Sequence, residues 1–241
     1  MELVAAMPAH TPLVEVGGWA RQAETLGFDV MHVPETVHDA FVSSALALEH
    51  TTRLKVRTSM VVAFPRSPMV SAYAAWDLAR FSAGRFQLGI ASQVRGNIVG
   101  RYSVKWENPV SQLREYVESI RAIFVSFQTG TPLDYAGKHY TFNRLQPYFN
   151  PGPLDVTQPP IWMGGVNPQM VALAGELTDG LVCHPTSSHP RFLDERVIGP
   201  LNTGIERADR TDGGPSVVVN ARPLTGRTEA DVARERATQL E

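Results

Sequence analysis

Residues 54–93 read LKVRTSMVVAFPRSPMVSAYAAWDLARFSAGRFQLGIASQ, and their reading decides the fold class. Leu54–Ala63 reads as a buried strand, and Pro65 and Pro68 punctuate the turn after it. The stretch from Met69 to Gly84 is an apolar helix that stops at glycine, and Arg85–Ile90 is a second buried strand. A strand, a helix and a parallel strand place both strand C-terminal ends on one rim, where α/β proteins bind ligands. Small residues at those ends (Ser59, Gly89, Ala91 and Ser92) leave room there for something flat.

The same alternation extends in both directions. Further strands are expected at Leu3–Ala6, Asp29–Val33, Ile161–Met163, Gly180–His184 and Ser216–Ala221. Most are continuous apolar runs, as in strands covered on both faces. The first helix carries Leu13, Val16, Ala20, Ala23 and Leu26 and ends at Gly27; the second spans about Asp39–His50, with Asp39 as N-cap. A long helix follows Asn108, its expected cap, with Pro109 in first position. Thr131–Pro159 reads as an insertion: a short hairpin turning at Ala136-Gly137, then a Pro-rich connection. Later helices fall at Pro168–Leu177, at Phe192–Ala208 with a break at Gly199-Pro200, and from Thr228 onward.

Seven βα repeats fit an open doubly wound sheet or a (β/α)8 barrel. No Gly-x-Gly-x-x-Gly follows the first strand, and no second-half symmetry is present. The expectation is therefore a TIM-type barrel, one domain over residues 1–241, lacking its last βα unit.

With 43% hydrophobic and 19% charged residues the composition is that of an ordinary globular protein. A net charge of -2 without a basic stripe argues against nucleic acid. The single cysteine, Cys183, permits no internal disulfide, which suits a reducing compartment. No apolar run is long enough for a membrane span, and MELVAAMPAH lacks the basic start of a signal peptide. A cytoplasmic protein is expected. The seven histidines show no metal-ligand spacing, so no metal site is expected.

Taken in order, AETLGFDVMHVPET, the 54–93 stretch, REYVESIRAIF, PPIWMGGVNPQMVALAGELTDGL and the hairpin ending HYTFN resemble the bacterial luciferase-like superfamily, and within it the coenzyme F420-dependent oxidoreductases. The resemblance covers nearly the whole chain. It implies a TIM barrel binding a flavin or deazaflavin at the C-terminal rim. It also implies a non-prolyl cis peptide in the third strand beneath the cofactor ring, aligned here with Ser59-Met60.

Several residues become candidates. Gly164-Gly165-Val166-Asn167 links a strand to a helix; glycines let the backbone approach a ligand, and free N–H groups at a helix start attract phosphate. The resemblance makes this loop the holder of the cofactor phosphate, with Ser59, Met60, Gly89 and Ser92 beside the ring. An ordinary strand-to-helix turn is the alternative. Relatives often carry more glycine near Ala91 and Gln93. After the second strand, Glu35-Thr36-Val37-His38 lies where related enzymes place an acid-histidine pair. His38 and Glu35 are thus the candidate proton-handling residues, and the resemblance makes Thr36 a candidate for a relative's cofactor-contact position. Alternatively Asp39 caps the helix and His38 is a surface residue. His184 ends a strand on the same face as Val182 and either lines a substrate pocket or is structural. Arg66 and Arg101 are loop cations that could meet a phosphate or are simply solvated.

The resemblance implies hydride transfer between coenzyme F420 and a small organic molecule. An FMN-dependent monooxygenase served by a flavin reductase is the second reading, and a non-catalytic flavin-binding protein the third. A homodimer is the expected assembly.

Overall fold

The computed structural model describes residues 1–221 and 226–240. The expected final helix includes Glu241, which lies outside them. The strands are β1 (Val4–Ala6), β2 (Val30–Val33), β3 (Lys55–Thr58), β4 (Val61–Val62), β5 (Phe86–Ala91), the hairpin β6 (Tyr135–Ala136) and β7 (Thr141–Phe142), then β8 (Ile161–Gly165), β9 (Gly180–Cys183) and β10 (Ser216–Val218). The helices are α1 (Leu13–Thr25), α2 (Ala40–Glu49), α3 (Pro68–Phe81), α4 (Arg95–Gly100), α5 (Pro109–Thr129), α6 (Pro168–Leu177), α7 (Pro190–Leu193), α8 (Gly199–Arg207) and α9 (Glu229–Leu240).

The strands pair in the order β1-β2-β3-β5-β8-β9-β10, every neighbour parallel, with β4 also on β5. Sequential parallel strands with intervening helices form a curled sheet, a half-barrel of TIM type, and not the doubly wound alternative. The edges β1 and β10 do not pair with each other among the described residues.

The local signals act as expected at most helix ends. Gly27, at φ 86°, ends α1, and Phe28 N–H reaches back to the Ala23 carbonyl. Asp39 caps α2 by accepting from Phe41 and Val42 N–H, Ser67 caps α3, and Gly84 adopts φ 84° beyond it. Trp76 on α3 is fully buried against Phe124 and Phe127 of α5, a core residue as its apolar helix face predicts.

Three expectations need correction. Asn108 does not cap α5 through its side chain; it takes a left-handed conformation, φ 41°, and its carbonyl receives Gln112 N–H. Asparagine tolerates that region better than most residues. The helix at Gly199-Pro200 is not broken, since a π-helical turn at Asp194–Ile198 joins α7 to α8, both in right-handed helical conformation. Pro200, which has no N–H to donate back along the chain, sits in the first turn of α8 directly after the π-helical turn. Finally, the run Leu54–Ala63 is two strands, separated at a cis peptide between Ser59 and Met60, the bond the resemblance implies.

The insertion is held to the barrel wall by side chains of α3. Arg80 Nη2 donates to the carbonyls of Pro151, Gly152 and Pro153 at 3.0, 3.0 and 3.1 Å, and Trp76 Nε1 donates to Gly152 O at 3.0 Å. Close packing at the other end of the sheet depends on glycine: a Cβ at Gly204 would stand 1.9 Å from the Ala172 carbonyl oxygen, so α8 rests directly on α6.

Candidate functional site

A cavity of about 610 Å³ opens at the C-terminal ends of the strands. Ser59, Met60, Val61 and Val62 contribute from the interrupted third strand, Ala91 to Val94 from beyond β5, and Gly164 to Asn167 from the turn into α6. Glu35 and Thr36 lie on one side, His184 and Asn220 on the other. Strand polarity alone explains the gathering, because parallel strands deliver all their C-terminal loops to one rim.

The glycine turn is tightly fitted. A Cβ at Gly164 would meet Met60 Cγ at 3.0 Å, and one at Gly165 would meet Met170 Cβ at 3.1 Å. The Asn167 side chain is committed to α6, accepting from Met170 N–H at 2.9 Å. The structure records no acceptor for the backbone N–H groups of Val166 and Asn167 among the described residues. Amides without a recorded acceptor, at a helix start that lines a cavity, suit an anionic group such as a phosphate.

The rim carboxylate Glu35 is firmly held. Arg66 engages it through both guanidinium arms, Nη2 to Oε1 at 2.8 Å and Nη1 to Oε2 at 3.1 Å, and Val62 N–H donates to Oε2 at 2.8 Å. Arg66 also meets Asp39 at 2.7 Å. Burial opposes the charge of Arg66, but the Glu35 and Asp39 partners outweigh it and raise its pKa. Asp39 titrates below its ordinary range: burial works the other way, and Arg66 with the α2 amides prevails. Arg66 is thus neither solvated nor free for a phosphate. Arg101 donates to the Thr36 carbonyl at 2.7 Å and shapes the same loop, while Thr36 Oγ1 donates to Ala9 O at 2.6 Å.

Thr36, Ser59, Met60, Ser92, Gly164, Gly165, Val166, Asn167, His184 and Glu35 are therefore brought together around one cavity. His38 and Gly89 are not among its lining residues. His38 lies in the short turn between the anchored Glu35 and the cap Asp39. Gly89 is buried in β5, exchanging 2.8 Å hydrogen bonds with Thr58 Oγ1 through both its N–H and its carbonyl. A Cβ there would lie 2.0 Å from the Thr58 carbonyl oxygen, so this glycine permits strand approach. His184 is exposed, and its Nδ1 accepts from Thr186 N–H at 3.3 Å. Cys183 is a buried thiol raised by burial to about 11.

Sequence reasoning passes over one constellation. Inside the curled sheet, below the cavity, Arg57 of β3 is wholly buried. Its Nε donates to Gln87 Oε1 of β5 at 2.7 Å, and its Nη1 lies 3.0 Å from His32 Nε2 of β2. His32 itself lines the cavity. Trp162 of β8 stacks under the guanidinium, and Gly180 makes room for the indole, since a Cβ at 180 would fall 2.1 Å from Trp162 Cε3. Arg57 Nη2 and Trp162 Nε1 are buried without a hydrogen-bond partner among the described residues. Burial, and then the Arg57 charge, push His32 down to about 3. Burial lowers Arg57 to about 9, opposed by Glu2, so the guanidinium is charged at neutral pH. The available signal was a histidine in the apolar run VMHV and an arginine inside the neighbouring strand KVRT.

The model of the luciferase-like monooxygenase family matches residues 2–241, and the chain belongs to that family. Among curated relatives, an uncharacterized protein of Mycobacterium tuberculosis is 37% identical over 210 residues, covering 87% of this chain and 62% of its own length. A 5,10-methylenetetrahydromethanopterin reductase of Archaeoglobus fulgidus is 30% identical over 199 residues, covering 82% of this chain and 56% of its own. The chain thus spans about three-fifths of the curated relatives it matches. Two solved structures share the fold. An F420-dependent secondary alcohol dehydrogenase bound to an F420-acetone adduct has a TM-score of 0.73 at 20% identity, with 89% of this chain and 66% of that one covered. The oxygenating constituent of 3,6-diketocamphane monooxygenase from Pseudomonas putida, with FMN, has a TM-score of 0.69 at 17% identity, with 88% and 64% covered. Among the described residues no helix is long and apolar enough to cross a membrane, and no cluster of metal-ligating side chains occurs.

Proposed function

We propose that this chain is an F420-dependent oxidoreductase of the luciferase-like family, acting on a small organic molecule. The observation that carries the reading is the cavity floored by Ser59 and Met60 and walled by Gly164 to Asn167. Its fit to a deazaflavin rests on two features: glycines at 164 and 165 whose Cβ atoms would crowd Met60 and Met170, and free amides at Val166 and Asn167 beside them. In this reading the amides hold the phosphate, and Ser59, Met60 and Ser92 lie beside the ring. When bound, a deazaflavin accepts or delivers a hydride at its ring. The protein's part is to hold the partners in place and exclude water. Thr36 and Glu35 shape one wall, the latter locked by Arg66. His184, exposed on the far side and held at Nδ1 by Thr186, lines the substrate space of this reading.

An FMN-dependent monooxygenase supplied by a reductase partner is the second reading, favoured by the likeness in fold to an FMN-bound oxygenating enzyme. Titrating the purified protein with F420 and with FMN, following ring fluorescence, separates the two. The proposal expects saturable F420 binding that Gly164→Val abolishes. Binding of FMN alone, or of neither, overturns it.

A further inference from the structure

His32 and Arg57 sit opposite each other on neighbouring strands, paired in the sheet register. Their contact is a hydrogen bond of 3.0 Å between a guanidinium nitrogen and an imidazole nitrogen. A guanidinium has only donors, so the nitrogen facing it must be the acceptor. Nε2 of His32 therefore carries no proton. The imidazole is neutral, and its hydrogen resides on Nδ1. The alternative tautomer would set two N–H groups against each other in a buried site.

The lock is well supported. Arg57 is fully buried, held on a second side by Gln87 at 2.7 Å and on its face by the Trp162 ring. No carboxylate among the described residues pairs with it. The rim groups Glu35, Arg66 and His184 make no hydrogen bond to His32. Nδ1 of His32 makes no hydrogen bond within the described chain, and the residue lines the cavity.

We infer that His32 is a hydrogen-bond donor fixed in one tautomer by Arg57, and that its Nδ1–H recognises a carbonyl oxygen on the heterocycle held in the cavity. The second half of this inference rests on the functional reading given above. The buried Arg57 cation behind the imidazole polarises it toward an electron-rich acceptor, which a ring carbonyl supplies and an ammonium or alkyl group does not. His32 is a binding and positioning residue in this scheme and moves no proton. Arg57 acts only through it.

Two measurements test the inference. Nitrogen NMR of histidine-labelled, unliganded protein reads the tautomer directly. The expected result is a neutral His32 ring with its proton on Nδ1 throughout pH 5 to 8, and a mixture of tautomers in Arg57→Met. A proton on Nε2, or titration of the ring near neutrality, overturns the inference. Fluorescence titration with F420 and FMN then tests recognition. Loss of one hydrogen bond in His32→Leu weakens the bound cofactor by about tenfold. His32→Asn, which keeps an N–H near the position of Nδ1, stays closer to the parent. Unchanged affinity in a folded His32→Leu variant also overturns it. If the parent binds neither cofactor, the functional reading fails and ring recognition falls with it; the nitrogen spectrum still decides the lock.

Discussion

The guanidinium carbon of Arg57 lies 3.3 Å from the centre of the Trp162 ring, inside the curled sheet where no carboxylate among the described residues reaches it. A cation taken from water without an anion is costly unless its donors and its face are engaged. Arg57 meets that condition only in part, through His32, Gln87 and the indole.

Arg57→Met therefore trades one difficulty for another. It removes a buried charge but leaves His32 Nε2 and Gln87 Oε1 without a donor. Each orphaned acceptor costs about 1–3 kcal/mol. A net loss of about 2 kcal/mol or more is expected in urea unfolding. A variant as stable as the parent would show that the removed charge had been as expensive as the hydrogen bonds were useful.

Acid should weaken the fold through His32. An unfolded imidazole takes its proton near 6.5, whereas burial and Arg57 hold the folded one near 3. Between those values the unfolded chain binds more protons. Stability from this group is therefore complete above about pH 6.5 and declines as the pH falls toward 3, at up to about 1.4 kcal/mol per unit. Urea midpoints measured from pH 7 to 4 should fall, and His32→Asn should flatten the slope. An identical slope in that variant would assign the acid sensitivity elsewhere.

Gly89→Ala tests the strand contact beside the cavity. Its Cβ would stand 2.0 Å from a backbone carbonyl oxygen, which cannot swing aside like a side chain. A loss of about 3 kcal/mol or more, or failure to fold, is the expected result. Thermal unfolding within a degree or two of the parent would contradict the geometry.

Glu35 and Arg66 form a two-armed pair with 6% and 18% of their side chains exposed. Removing one partner strands the other's charge in a poorly hydrated place. Glu35→Gln and Arg66→Met should each destabilise by about 2–4 kcal/mol, and the double variant should lose much less than their sum. Strict additivity in the double-mutant cycle would mean the two charges do not feel each other.

The barrel order was legible because its strands are covered on both faces and appear mostly as apolar runs, such as Ile161–Met163 and Gly180–Cys183. Helix ends were legible wherever one residue decides them, as with Gly27, Asp39 and Gly84. The short α4 was not, since RGNIVG is too brief to display a period. The π-helical turn was missed because a wide turn depends on packing against α6, which the local sequence does not encode. The site was legible where a loop chemistry names itself, as at Gly164-Gly165. It was obscured at Glu35, whose carboxylate is locked by Arg66, about thirty residues away. It was obscured again at His32 and Arg57. A lone polar side chain in an apolar strand becomes meaningful only when the neighbouring strand supplies the atom it touches.

Arg80 gathers three successive carbonyls of the Pro-rich connection, and Trp76 takes one of them as well. Residues 151–153 have no ladder of their own, yet α3 carries them as cargo. A helix whose inner face belongs to the core thereby governs a stretch that looks like slack rope. Lengthening or shortening the hairpin upstream should leave that knot tied, so variation among barrels of this type can accumulate there without loosening the wall behind it.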